Sequence, residues 1–168
     1  MRGLIAFGAA CFVGFSASAW FDSDFAHNEG VRGLLRAAGI AGDPPLSAAM
    51  LTALQAIGLP HFALTLFSLL QAWRLFGAYA RGNVFGAQPV SHLRALAWAL
   101  LATTIWHTLS GTLGVLLLTW GNPPGQRRLV IGISWDEYLS ALLAGLLIAV
   151  AWAMLEAGRI ERDNAGFV

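Results

Sequence analysis

The sequence predicts an all-α integral membrane four-helix bundle, on three observations. Of 168 residues, 57% are hydrophobic and 11% charged, less than half the charged fraction of roughly a quarter in soluble domains. Four stretches, 3–20, 46–73, 93–120 and 138–154, approach or exceed the ~20 apolar helical residues needed to cross a hydrocarbon core. None carries Asp, Glu, Lys or Arg within its core. At this length the expectation is a single membrane domain, residues 1–168.

The first span has two readings. Arg2, the apolar run and Ala17-Ser18-Ala19 resemble a secretory signal with a small-residue cleavage site. The single basic residue before it and the three spans after it favour retention as a membrane helix. Lone Cys11 in this stretch supports neither a disulfide within the chain nor a cysteine zinc site, and reads as a small buried hydrophobe.

The connection 21–45 contains a short amphipathic helix, 28–38. Val31, Leu34 and Leu35 share one face and Arg32 and Arg36 another, the pattern of a helix lying on a membrane surface. Asp43, followed by Pro44 and Pro45, is placed to cap the second span. Pro60 lies inside that span, where it removes a backbone hydrogen bond and predicts a kink. Helical character continues to Ala80, which makes a helix of about 50 Å at 1.5 Å per residue. Its end must therefore leave the ~30 Å core before the turn Arg81-Gly82-Asn83.

Pro89 suits the opening turn of the third span. That span carries a polar stripe of Thr103, Thr104, His107, Thr108, Ser110, Gly111, Thr112 and Gly114. Ser110 and Gly114, and Ala141 and Gly145 in the fourth span, have the spacing that allows close helix approach. Interhelical packing is the plain reading of the stripe, and a polar transport path the sharper one. Asn122-Pro123-Pro124-Gly125 signals a turn in the loop 121–134, followed by the short extended candidate Leu129-Val130-Ile131. Ser134 and Glu137 have capping-box spacing before the last span. The helix then runs on as an amphipathic tail, 155–168, so two helix ends are predicted to extend into the cytoplasm.

Trp20, Trp73, Trp120 and Trp135 fall near span ends, where indole rings favour the headgroup layer. Trp98, Trp106 and Trp152 lie deeper and read as packing residues. Orientation follows from arginine counts. Arg2, Arg74, Arg81, Arg94, Arg159 and Arg162 fall on one side and Arg32, Arg36, Arg127 and Arg128 on the other, placing both termini in the cytoplasm by the positive-inside rule. All ten basic residues are Arg. A GC-rich genome is the plain account, and an arginine phosphate or lipid-headgroup site the sharper one. The formal net charge of +1 provides no basic field for nucleic acid.

Two constellations are candidates for function. His61 and His107 fall at similar depth on antiparallel spans, where ionisable residues are functional candidates. Facing histidines can ligate haem or relay protons. The plain reading is two neutral imidazoles bonded to hydroxyls or to the carbonyl freed by Pro60. No carboxylate is expected at their depth, which argues against a metal site. The second constellation is the charged inner face: Arg74, Arg81, Glu156, Arg159, Glu161 and Arg162, with an Arg74–Glu156 ion pair within reach. It reads as a solvated surface or as a docking site for a cytoplasmic protein. Walker, dinucleotide-binding, nucleophile-elbow and zincin motifs are missing, and Asp136 and Glu137 are adjacent, a poor spacing for paired acid–base work. The expectation is a protein with no catalytic residues, cofactor or metal.

The string WRLFGAYARGNVFGAQPVSHLRALAWALL, 73–101, resembles the centre of the bacterial domain-of-unknown-function 2975 family: a helix end, a basic-Gly turn, a Phe, then a helix containing Leu-Arg. The ending EAGRIERDNAGFV, 156–168, resembles that family's charged amphipathic tail. After Phe85 this chain has Gly86-Ala87-Gln88-Pro89, where members commonly carry Ser and acidic or amide residues. The resemblance implies a small four-span protein of the bacterial inner membrane. Some members are encoded beside a small helix-turn-helix regulator, which implies sequestration of a cytoplasmic transcription factor rather than direct nucleic-acid binding. The functional expectation is thus a non-enzymatic membrane regulator, with a small haem-binding or transport module at His61 and His107 as the alternative.

Overall fold

The computed structural model describes residues 29–42, 44–83, 86–123 and 125–165, preceded by Gly3, Ala10 and Gly14, with side chains as far as Ile160. The first span beyond those three helical residues, with Cys11, Trp20, Arg2 and the possible cleavage site, lies outside them. Helix α1 is Glu29–Ala38, α2 Ala48–Tyr79, α3 Ala87–Thr119 and α4 Trp135–Ala165. The described residues contain no strand. Helices α2, α3 and Trp135–Ile160 of α4 are each long and apolar enough to cross a membrane.

Local chemistry sets the helix ends. Ser47 caps α2: its Oγ accepts the Met50 N–H at 3.2 Å. Asp43 itself is outside the described residues. Helix α2 closes with Asn83 N–H returning to Ala78 O and Gly82 N–H to Tyr79 O, with Gly82 at φ 79°, the backbone region that favours glycine at a helix end. Pro89 occupies the first turn of α3 as expected. Pro60 sits inside an unbroken α2. One turn earlier, the Ile57 carbonyl accepts the indole N–H of Trp106 at 3.0 Å, a neighbour's bond of the kind that makes proline tolerable in a membrane helix.

Helix α3 is the hub, packing against α2 along one side, α4 along another and α1 near its C-terminal end. Leu75, Leu93 and Ala151 meet at one level and His61, His107 and Glu137 at another, and on each helix the two levels are joined by seven-residue steps through Ser68 on α2, Leu100 on α3 and Ala144 on α4. This is the repeat of helices crossing at about 20°. Ser68, Leu75, Leu93, Glu137, Ala144 and Ala151 are buried. Close approach on α4 is therefore made by Ala144 and Ala151 and not by the predicted Gly145, which faces open space. Leu75, Val90, Leu93 and Ala151 form the apolar cluster at one end.

The other end is closed by α1. Its Val31, Leu35 and Ala38 are buried with Leu54 of α2 and Val115 and Leu118 of α3. The apolar face predicted to rest on lipid rests on protein. Leu34 seats against Gly114, where an added Cβ would lie 2.8 Å from Leu34 Cδ1; the glycine admits α1 rather than another long helix.

Trp98 and Trp152 are 56% and 76% exposed, so they belong with Ile105, Leu109, Leu142 and Leu146 to the outward apolar surface that a bilayer covers. Among the three deeper tryptophans only Trp106 packs inward. Trp135 meets Tyr138 with ring centroids 5.5 Å apart, and the Arg127 guanidinium lies 4.9 Å from the Trp120 ring centroid, arrangements suited to the interfacial layer.

Gly114→Val is expected to force Leu34 and α1 outward and lower stability by about 1–3 kcal/mol, measured by thermal unfolding in detergent. Gly111→Ala, with open space around the new methyl, is expected to cause no such loss.

Candidate functional site

Fourteen residues separate His61 from Leu75, Leu93 from His107 and Glu137 from Ala151. At 1.5 Å per residue this carries all three helices about 21 Å from the apolar cluster to a second, polar layer. There the His61 and His107 rings meet at 5.7 Å between centroids, inclined by 57°. His107 Nδ1 donates to Glu137 Oε1 at 2.6 Å. The sequence expectation that no carboxylate lies at the depth of the two histidines is thus corrected: Glu137 does.

Glu137 arrives at this depth because the connection before α4 turns back along α3 instead of standing away from it. Arg128 N–H donates to Thr119 Oγ1 at 3.2 Å. Thr112 Oγ1, seven residues lower on α3, donates to the Val130 carbonyl at 3.0 Å. The extended stretch 129–131 is therefore held by threonine hydroxyls, not by a partner strand. Ser134 and Glu137 then form the predicted capping box: Glu137 N–H donates to Ser134 Oγ at 3.2 Å, and Ser134 N–H to Glu137 Oε2 at 2.6 Å. One carboxylate consequently caps α4 with one oxygen and binds α3 with the other.

The remaining polar stripe of α3 turns inward on its own backbone. Thr103, Thr104, Thr108 and Ser110 donate to the carbonyls of Ala99, Leu100, Thr104 and His107. These hydroxyls are satisfied by the helix, as the packing reading requires. The imidazoles are different. His61 Nδ1 is buried with no hydrogen-bond partner, an arrangement that costs about 1–3 kcal/mol. His107 has committed Nδ1 to Glu137, which leaves Nε2 for any further partner. Its side chain is 61% exposed while Glu137 is 9% exposed.

His107 faces two clefts. One, of ≈ 810 Å³, lies between α1, α2 and α3 and is lined by His61, Ile57, Gly58, Leu54 and Ser110. The other, of ≈ 520 Å³, lies between α1, α3 and the start of α4 and includes Glu137, Ser134 and Thr112. Gly33 and Leu34 of α1 line both, so α1 stands between them. Among the described residues no group of three His, Cys, Asp or Glu side chains is arranged to hold a metal.

The second predicted constellation separates. Arg74 and Arg81 line a pocket between α2 and α3 with Gln88 and His92. Glu156 and Arg159 are exposed on α4, and the Arg74–Glu156 ion pair does not form; the side chains of Glu161 and Arg162 are outside the described residues. Sequence reasoning missed Glu137 as a site residue. The signal was present as the seven-residue recurrence of Glu137, Ala144 and Ala151, which places the carboxylate on the inward face of α4.

Glu137→Ala removes cap and histidine partner together and is expected to cost about 1–3 kcal/mol in detergent unfolding. Glu137→Gln keeps a capping amide and is expected to cost less. Ser134→Ala, which loses only the cap, is expected to cost about 1 kcal/mol.

No curated protein and no solved structure matches the chain. Residues 35–165 match the family described as protein of unknown function (DUF2975). The matched stretch takes in the last four residues of α1, all of α2 and α3, the back-folded connection and α4, and therefore every residue of the histidine–carboxylate layer. The chain belongs to the DUF2975 family.

Proposed function

We propose that this protein is a non-enzymatic membrane module that takes up a small hydrogen-bonding molecule at His61 and His107. One observation carries the reading: an unpartnered buried imidazole nitrogen, His61 Nδ1, beside a second imidazole oriented by a carboxylate, at the wall of a cleft of ≈ 810 Å³. Small-molecule sites commonly occupy about 300–1,000 Å³, with few polar groups in apolar walls. His61 supplies a nitrogen with nothing to bond, and Glu137 fixes the tautomer of His107 so that Nε2 is its acceptor when neutral. Haem is one such ligand and a small transported solute another.

Native mass spectrometry of the detergent-purified protein tests this. An adduct of small-molecule mass is expected on the wild type, lost in His61→Ala and in His107→Ala, and kept in Ser91→Ala on the far end of α3. An adduct surviving both histidine variants, or none on the wild type from any expression medium, would sink the reading. A Soret band in the same sample separates haem from other ligands.

A second reading, that of a regulator holding a cytoplasmic partner such as a helix-turn-helix factor, is supported by the reach of α4. From Ala151, level with Leu75, α4 continues fourteen residues to Ala165, whereas α2 ends four residues on at Tyr79. The overhang is about 15 Å and bears exposed Glu156 and Arg159. This reading puts the Arg74–Arg81 end and both termini in the cytoplasm of a bacterium, with the chain in its inner membrane. Deleting residues 156–168 is expected to abolish crosslinked copurification of the partner; undiminished recovery excludes this docking surface.

A further inference from the structure

The pocket at the α2–α3 turn is unlike the histidine clefts in its chemistry. It measures ≈ 440 Å³ and is lined by Leu70, Trp73, Arg74, Arg81, Gln88 and His92. Its described lining residues include two guanidinium groups and one amide, and no carboxylate. Arg74 and Arg81 are both exposed, and among the described residues no acid is paired with either. His92 is held from behind, its Nδ1 donating to Oε1 of buried Gln71 at 2.9 Å, so its other ring nitrogen remains available.

Position along the helices adds a second constraint. Residues 44–73 carry no charge, and Arg74 is the first charged side chain after them. On the partner helix, Arg94 is the last charge before an uncharged run from 95 to 126. The pocket therefore straddles the level at which hydrocarbon gives way to headgroups. Leu70 and Trp73 lie on its hydrocarbon side and Arg81 beyond it. A lone arginine at such a boundary would only extend its tip to water. Here two arginines and groups from the neighbouring helix line one concavity.

We propose that this pocket binds the phosphate of an anionic phospholipid, with the guanidinium groups of Arg74 and Arg81 on the phosphate oxygens and the acyl-glycerol part against Leu70 and Trp73. Arginine forks match phosphate oxygens in geometry and charge, and basic pockets between membrane helices take anionic headgroups. The site is independent of the histidine layer, about four helical turns away.

The test uses the full chain in mild detergent, with phosphatidylglycerol, phosphatidylcholine of the same acyl chains, or inorganic phosphate as separate additions, read by native mass spectrometry. Phosphatidylglycerol is expected to bind about tenfold or more tightly than phosphatidylcholine. The double variant Arg74→Gln/Arg81→Gln is expected to weaken that binding about thirty-fold, while Arg159→Gln on the α4 overhang leaves it unchanged. If the double variant does not fold, Arg81→Gln alone, at the exposed turn, is expected to weaken binding by several-fold. Equal binding of the two lipids, or phosphatidylglycerol binding unaltered in the arginine variants, overturns the proposal. Displacement of phosphatidylglycerol by millimolar inorganic phosphate overturns the lipid as source and makes the ligand a free phosphate.

Discussion

Helix α3 is in contact with α1, α2 and α4, and the seven-residue step that joins Leu93, Leu100 and His107 along it is the constraint on which the other helices depend. An α-helix turns by almost two full rotations in seven residues, so side chains at that spacing lie on one slowly drifting stripe. With matched stripes on α2 and α4, the same axial step separates an apolar layer around Leu93 from a polar layer around His107 on all three helices. A change of register by one residue would take Glu137 off the seam and leave the carboxylate facing an apolar surrounding.

That polar layer is an exception in a molecule that otherwise satisfies its polar groups locally. In hydrocarbon, unpaired backbone and hydroxyl groups cost several kcal/mol each. The threonines of α3 bond to carbonyls one turn back, Trp106 takes the Ile57 carbonyl beside Pro60, and Thr112 and Thr119 hold the non-helical connection. Against that background the bare His61 Nδ1 stands out; the Thr65 hydroxyl, one turn on, donates to the His61 carbonyl at 2.9 Å. Local bonding leaves this buried ring nitrogen without a partner in a residue that lines a cleft.

The two ends of the molecule differ in the same terms. At the α1 end, an amphipathic helix covers the ends of α2 and α3 with Leu34 against Gly114. At the α2–α3 turn, arginines, an amide and a histidine collect around a pocket with no acid among its described lining residues. One end is closed by apolar contacts; the other collects positive charge at the edge of the uncharged runs.

Much of the chain was legible from residue order because its causes are local. Long charge-free runs imply membrane helices wherever they occur, Ser134 and Glu137 cap a helix three residues apart, and Gly82 ends one by its own backbone freedom. The family resemblance, too, rested on contiguous strings. What residue order left open was everything decided by contact between distant segments. The cap of α2 went to Ser47 because of its backbone geometry, α1 found protein in place of lipid, and Trp98 and Trp152 turned outward because α3 and α4 bury their alanines. Above all, Glu137 was readable as a cap but not as the partner of His107, thirty residues away. Sequence determined that these helices form and how long they are. Only the tertiary structure decided their register, and with it which polar atoms share a layer, because register is set by side chains packing across the seam and not by any single helix.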